Sequence, residues 1–346
     1  MQLTRRGYAV LGIVVLAEVL ALTYGARALN AIAAPAVVAL VASVVQLRRA
    51  EVPTAERDYV PAAFPGDTRE VTVEVEGSGV ARIEETVPDG LTVEDATAEA
   101  TLPTTFTYTL TCAERGRHSL GPLDVRMRDL LGLVETTYEV GPTTRVLVYP
   151  PVYQVAGRDV ILRHVLERSE VERQEFDTLR EYVPGDPLRD VHWKSTAKAQ
   201  DEIYVAEFAD NRVDDDQIVV AATADAGSVD EMAAAAASVA VMALDAGLAV
   251  ELRIPEQTVP MGRGDDHRQR LLGALAVTDT DFTSPFKSYS LPDGATEDAD
   301  VVIRGDADGV SVAFGSDDRS FEDITVSREN PITRRENPIT RREVES

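Results

Sequence analysis

Two apolar stretches near the start of the chain constrain it more than any other feature: residues 7–24 (GYAVLGIVVLAEVLALTY) and 29–47 (LNAIAAPAVVALVASVVQL). At a rise of about 1.5 Å per residue, each makes a helix long enough to cross a hydrocarbon layer about 30 Å thick. Together they read as a transmembrane hairpin. A cleaved signal peptide is the poorer reading of the first stretch, because a second apolar span follows at once and the small-residue sites suited to cleavage lie inside it. Arg5 and Arg6 precede the first span, Arg48 and Arg49 follow the second, and the short connection carries only Arg27. This distribution of cations predicts a multi-pass membrane protein with both ends of the hairpin, and the rest of the chain, on the cytoplasmic side. Glu18 falls inside the first span and is expected to face the partner helix or to be protonated.

From about residue 53 to 150 the pattern changes to short runs of β-formers. They are Val71, Val73 and Val75, then 80–87, 106–112, 123–127, 133–140 and 144–150, with turn signals at PGD 65–67, GSG 77–79, PDG 88–90 and GP 121–122. Six or seven such strands predict an all-β immunoglobulin-like sandwich. Cys112 is the only cysteine, so no intramolecular disulfide pins it and a cysteine zinc cluster is excluded.

Residues 151–215 read as a charged connector. An α/β rhythm follows over 216–320: strands at 217–223 and 248–254 flank an alanine-rich helix at 229–246, and a helix near 266–276 precedes strands at 301–305 and 310–314. Strand, helix, strand implies a mainly parallel, Rossmann-like sheet covered by helices. A tail is expected over 321–346, where RENPITR occurs at 328–334 and again at 335–341. A polar heptapeptide with no apolar stripe builds neither a solenoid nor a coiled coil, so the tail is expected to be disordered.

The formal charge is −25, and lysine occurs only at Lys194, Lys198 and Lys287. So acidic a surface opposes general nucleic-acid binding. It suits molar salt, where the Debye length shrinks to about 3 Å and neighbouring carboxylates hardly repel each other, and it predicts a halophile of archaeal type.

Residues 179–208 read LREYVPGDPLRDVHWKSTAKAQDEIYVAEF. Arg180, Tyr182, Gly185, Asp186, Arg189, Trp193, Ser195, Ala197 and Glu207 fall on the pattern of the domain of unknown function 58 family, which runs here as Arg-x-Tyr-x-x-Gly-Asp-x-x-Arg-x-x-x-Trp and which this stretch resembles. The likeness extends upstream, where the family's usual Asp-Pro-Leu-Gly-Leu stands as Asp129-Leu130-Leu131-Gly132-Leu133. The resemblance implies a von Willebrand factor A-like domain after the motif. It also implies a membrane scaffold or adaptor, not an enzyme, working beside a MoxR-type AAA+ ATPase and near transglutaminase-like membrane proteins, in assembling or remodelling envelope or metal-containing complexes.

Arg180, Arg189, Lys194 and Lys198 gather four cations in one short stretch of an acidic protein. With Tyr182, Asp186, Trp193 and Ser195 they form a candidate surface for an acidic partner loop or a phosphate, since guanidinium forks pair bidentately with such groups. The structural alternative pairs Arg189 with Asp186 or Asp190 and buries Trp193 between folded domains. The functional alternative to an adaptor is a membrane-associated enzyme or regulator that binds a phosphorylated ligand through this motif. Asp190, His192 and Ser195 are too close in sequence for a hydrolytic triad, whose members come from separate elements. Von Willebrand A-like domains often hold a cation with Asp-x-Ser-x-Ser after the first strand. Here only Thr223, Asp225 and Ser228 could supply oxygens there, which predicts a degenerate site without metal or other cofactor. No phosphate-binding Gly-x-x-x-x-Gly-Lys loop occurs.

Overall fold

The computed structural model describes residues 1–25, 27–157, 159, 178–183, 204–207, 216–225, 227–278, 291, 296, 298–315 and 317–336. The chain divides into two units, Met1–Tyr149 and Pro150–Ser346.

Unit 1 opens with β1 (Gln2–Leu3), which leads through Thr4 into α1 (Arg5–Tyr24). Thr4 caps this helix by accepting a hydrogen bond from the Gly7 amide (3.1 Å), and Gly25 ends it in the left-handed region at φ 64°. A short 3-10 turn then starts α2 (Asn30–Arg49). Both helices are long and apolar enough to cross a membrane. The residues withdrawn from solvent recur at helical spacing, Gly7, Val10, Val14, Ala17 and Ala21 on α1 and Ala33, Ala36, Leu40, Ser43 and Leu47 on α2. Small residues let two helices approach closely, and most of these are small. Outside the seam stand apolar side chains such as Leu16, Leu22, Ile32 and Val38. Glu18 is also exposed, not turned into the seam.

The remaining strands of unit 1 are β2 (Thr54–Arg57), β3 (Thr68–Glu85), β4 (Leu91–Glu94), β5 (Thr97–Cys112), β6 (Gly116–Leu120), β7 (Leu123–Arg128), β8 (Val134–Val140) and β9 (Thr144–Val148). Seven form an antiparallel sheet in the order β1-β8-β7-β3-β5-β4 with β2 also on β3, and β6 pairs with β9. The GSG signal at 77–79 is not a chain reversal. β3 runs straight through it, shifting register against β5 between Val75 and Gly79, with Gly77 at φ 145° and Gly79 at φ 105°. Glycine tolerates these angles, so a bulge forms where a turn was expected. Alternation holds on both sides of it, with Val71, Val73 and Val75 and then Ala81, Ile83 and Glu85 buried. The β-rich core runs on into the helices: Leu47 belongs to it, and Leu3, Val10, Leu40 and Val44 pack against it.

In unit 2 the described strands are β10 (Gln154–Val155), β11 (Thr178–Glu181), β12 (Tyr204–Glu207), β13 (Gln217–Ala224), β14 (Ala249–Ile254), β15 (Gln257–Gly262), β16 (Val301–Asp306), β17 (Gly309–Phe314), β18 (Asp317–Ser320) and β19 (Thr325–Ser327). The main sheet runs β15-β14-β13-β16-β17-β18. Only β14, β13 and β16 are parallel, so the sheet is mixed: β15, β17 and β18 extend it antiparallel at both edges. The helices are α3 (Val229–Asp245), α4 (Asp265–Val277), α5 (Phe321–Ile324) and α6 (Pro331–Glu336).

α3 is buried along nearly its whole length from Val229 to Val241, where alanine allows close approach to the sheet. His267 of α4 is fully buried and donates from Nε2 to the Val250 carbonyl (2.7 Å). Residues 321–336, part of the expected tail, are structured. Phe321 and Ile324 are buried, and β19 pairs with β10. Two apolar residues in a polar run suffice to dock it.

Candidate functional site

The signature stretch is framed by a hairpin. β11 and β12 pair antiparallel, Thr178 opposite Glu207 and Arg180 opposite Val205, so residues 182–203 are the connection between paired strands. Tyr182 is half-buried at its start. Asp186, Arg189, Trp193, Lys194, Ser195 and Lys198 lie outside the described residues, as does the side chain of Arg180.

The Thr223, Asp225, Ser228 group sits at the carboxyl end of β13, the central parallel strand. Its two parallel neighbours lie on opposite sides, the position at which open α/β sheets form ligand crevices. The turn is tied to β16. The Asp225 amide donates to the Gly305 carbonyl (2.9 Å), and Ser228 Oγ donates to the Asp306 carbonyl (2.6 Å). A Cβ at Gly305 would press on the Ser228 side chain and main chain at 3.0–3.1 Å, so this glycine admits the turn. Because its hydroxyl serves β16, Ser228 starts α3 without capping it. Thr223 stays in the strand, paired with Arg304, and Asp225 is exposed. The three residues share a strand end, but only Asp225 brings a carboxylate. Among the described residues, no group of three or more histidine, cysteine or acidic side chains is arranged to hold a metal.

A third constellation, in unit 1, combines residues far apart in sequence. Asp129 is buried at the start of the turn between β7 and β8. Its Oδ1 accepts from the Leu133 and Val134 amides (both 2.7 Å), and its Oδ2 accepts from the Leu131 amide (2.9 Å) and from Ser43 Oγ of α2 (2.7 Å). Burial alone would raise the Asp129 pKa. The donors, led by the Val134 amide and the Ser43 hydroxyl, outweigh it and hold the carboxyl below the ordinary carboxylate range. Thr4 donates from Oγ1 to the Gly132 carbonyl (2.6 Å) and from its amide to the Leu133 carbonyl (2.9 Å). Gly7 leaves room for that same carbonyl, with which any Cβ would collide.

Deeper in the β-rich body, Arg57 Nη2 donates to both oxygens of Glu85 (2.8 Å each), and Tyr108 donates to Glu85 Oε2 (2.6 Å). Burial, and then the Glu85 carboxylate, push the Tyr108 hydroxyl far above its usual pKa. Neither constellation is foreseen from the sequence. The cues to the first are the Asp129–Leu133 stretch already noted for its family likeness and its Asp three residues before a Gly, a common turn signature; the second has none, since its partners lie 23 and 28 residues apart.

The class to which this architecture is similar is indicated by residues 178–303, from β11 into β16, which match the family model described as "Protein of unknown function DUF58". The chain is also 27% identical over 198 residues to the uncharacterized protein YeaD of Bacillus subtilis (strain 168), covering 54% of this chain and 48% of that one. It thus spans about half the length of the curated relative it matches. Both findings support the domain of unknown function 58 resemblance. Among solved structures, the Escherichia coli chaperone DraB is similar at 10% identity, covering 33% of this chain and 62% of that one, with TM-score 0.22. The PapD-like domain 7 of human CEP192 is similar at 12% identity, covering 28% and 83%, with TM-score 0.20.

Proposed function

We propose that this chain is a membrane-anchored, non-enzymatic adaptor of the domain of unknown function 58 type. In this reading α1 and α2 span the membrane, the β-rich body is an immunoglobulin-like sandwich, and unit 2 is a von Willebrand factor A-like docking platform, both on the cytoplasmic side. The observation that carries it is the junction of Thr4, Gly7, Ser43 and Asp129. It makes the apolar hairpin a rigid mount for a folded body, which suits a protein that holds partners at a membrane. Its partner in this reading is a MoxR-type AAA+ ATPase, and a transglutaminase-like membrane protein is a further candidate. The chain shows no phosphate-binding loop of its own, so ATP chemistry belongs to the partner. The lysine-poor, acidic composition supports a salt-adapted cell as the protein's setting. A circular-dichroism spectrum unchanged between molar and millimolar salt would remove that part of the reading.

A second reading, a membrane-associated enzyme or regulator that binds a phosphorylated ligand, draws on the cations Arg189, Lys194 and Lys198, which fall in sequence between β11 and β12. Pull-down of the full chain from membranes, with an ATPase assay of the captured material, separates the two. An ATPase whose turnover changes with this chain supports the adaptor. A copurifying phosphorylated small molecule, with no ATPase, supports the regulator.

A further inference from the structure

The turn after β7 exposes two adjacent leucines. Leu130 is 81% and Leu131 54% exposed, although the turn that carries them is firmly built. Asp129 takes the hydrogen bonds described above, the Gly132 amide donates to the Asp129 carbonyl (3.0 Å), and Gly132 adopts φ 66°, which a Cβ disfavours. A soluble turn of this kind carries polar residues, because exposed adjacent leucines gain nothing from water.

Its position indicates what covers it. The turn contacts Thr4 and Gly7 at the start of α1 and Ser43 in the last third of α2, and the Leu130 amide faces Gln46 Oε1 at 3.5 Å. Those helix ends carry Arg5, Arg6, Arg48 and Arg49, and the Arg6 guanidinium lies beside Gly132. A 20-residue helix is about 30 Å long, the full thickness of the hydrocarbon layer, so a turn level with Ser43 and Gln46 lies about 5–9 Å inside the end of α2, not beyond the headgroups. The exposed Tyr8 and Val45 adjoin the contact residues Gly7 and Gln46 in sequence.

We propose that the 129–133 turn is a membrane wedge. Leu130 and Leu131 enter the boundary between headgroups and acyl chains beside the helix ends, so the bilayer holds the β-rich body at a third point in addition to the two spans. This inference rests on the reading that α1 and α2 span the membrane, and the test separates the two.

In a Cys112→Ala background, the full chain is given one cysteine at a time (Leu130→Cys, Leu131→Cys, Val15→Cys in α1, or Thr92→Cys on β4 at the far edge of the sheet). Each is labelled with an environment-sensitive nitrobenzoxadiazole probe and reconstituted into phosphatidylcholine–phosphatidylglycerol vesicles containing nitroxide lipids. The wedge predicts that shallow nitroxides quench the probes at 130 and 131 at least about twofold more than the probe at 92, while deep nitroxides quench the probe at 15 most. Two probe sites in the turn guard against one substitution disturbing it. If both match the probe at 92 while the probe at 15 is quenched, the wedge is wrong, the spans stand, and the leucines face a protein. If the probe at 15 is itself unquenched, the spanning reading fails and takes the wedge with it.

Discussion

Arg57, Glu85, Tyr108 and Asp129 are shut inside unit 1, tied to partners far along the chain, whereas the central helix of unit 2 fills comparable space with the five alanines Ala233 to Ala237. The buried polar groups of unit 2 turn to the main chain. Ser238 donates to the Ala234 carbonyl, His267 to that of Val250, and Asp300 accepts from the Val219 amide. The difference follows from what each unit has to join. Unit 2 stacks helices on a sheet, which apolar packing does well without selecting one geometry over near neighbours. Unit 1 must also fix a helical hairpin on a sheet in one orientation, which the Asp129–Ser43 bond does, while the Arg57–Glu85–Tyr108 group ties strands of the β-rich body to one another. A buried ion pair is weak support for stability in itself, but breaking one is costly.

The largest effect is expected at Glu85. Glu85→Ala leaves the Arg57 guanidinium buried without its partner and is expected to cost unit 1 about 3–5 kcal/mol in denaturant unfolding. The paired change Arg57→Met with Glu85→Leu should recover most of that loss, and a double variant as unstable as the single one would show that the pair is not what holds this core. Unit 2 should answer to volume instead. Ala236→Leu, at a position with no exposure, is expected to destabilise it by about 1–3 kcal/mol through overpacking. A neutral result would mean that the helix and sheet are less closely fitted than they look.

At the junction, Ser43→Ala removes one of the four donors to the Asp129 carboxylate and should cost about 1–2 kcal/mol, read as a lower melting temperature of unit 1 in detergent micelles. Acid gives the smallest effect. The folded pKa of Asp129 is depressed, so the unfolded chain binds its proton first. The stability this provides is complete above the ordinary carboxylate value of about 3.9 and is lost as pH falls through the lower folded value. The stability gap between the native chain and Asp129→Asn should therefore narrow between neutral pH and pH about 3. A gap that stays constant would contradict the assignment.

The sequence makes the hairpin legible because length and apolarity alone define it, and the strands and helices of the α/β sheet because their periodicity is strong. Residues 217–223, 229–246 and 248–254 lie within two residues of the observed β13, α3 and β14. It misleads at GSG 77–79, where glycine serves a bulge as readily as a turn. Among the described strands it also misses β2, β4, β6, β15 and β18, each of six residues or fewer. Of the candidate sites, Thr223, Asp225 and Ser228 do meet at a strand end, which chain order alone implies. The Asp129–Ser43 contact spans 86 positions, and no local pattern announces a bond between a turn and a helix that far apart.

A cytoplasmic adaptor must hold the chain beyond α2 on the inner side of the membrane. Protease added to intact cells, with an epitope at residue 346 followed by immunoblot, tests this directly. Residues beyond 50 should stay protected until the cells are permeabilised and then be digested to a fragment holding α1 and α2. Digestion in intact cells would contradict the cytoplasmic adaptor outright.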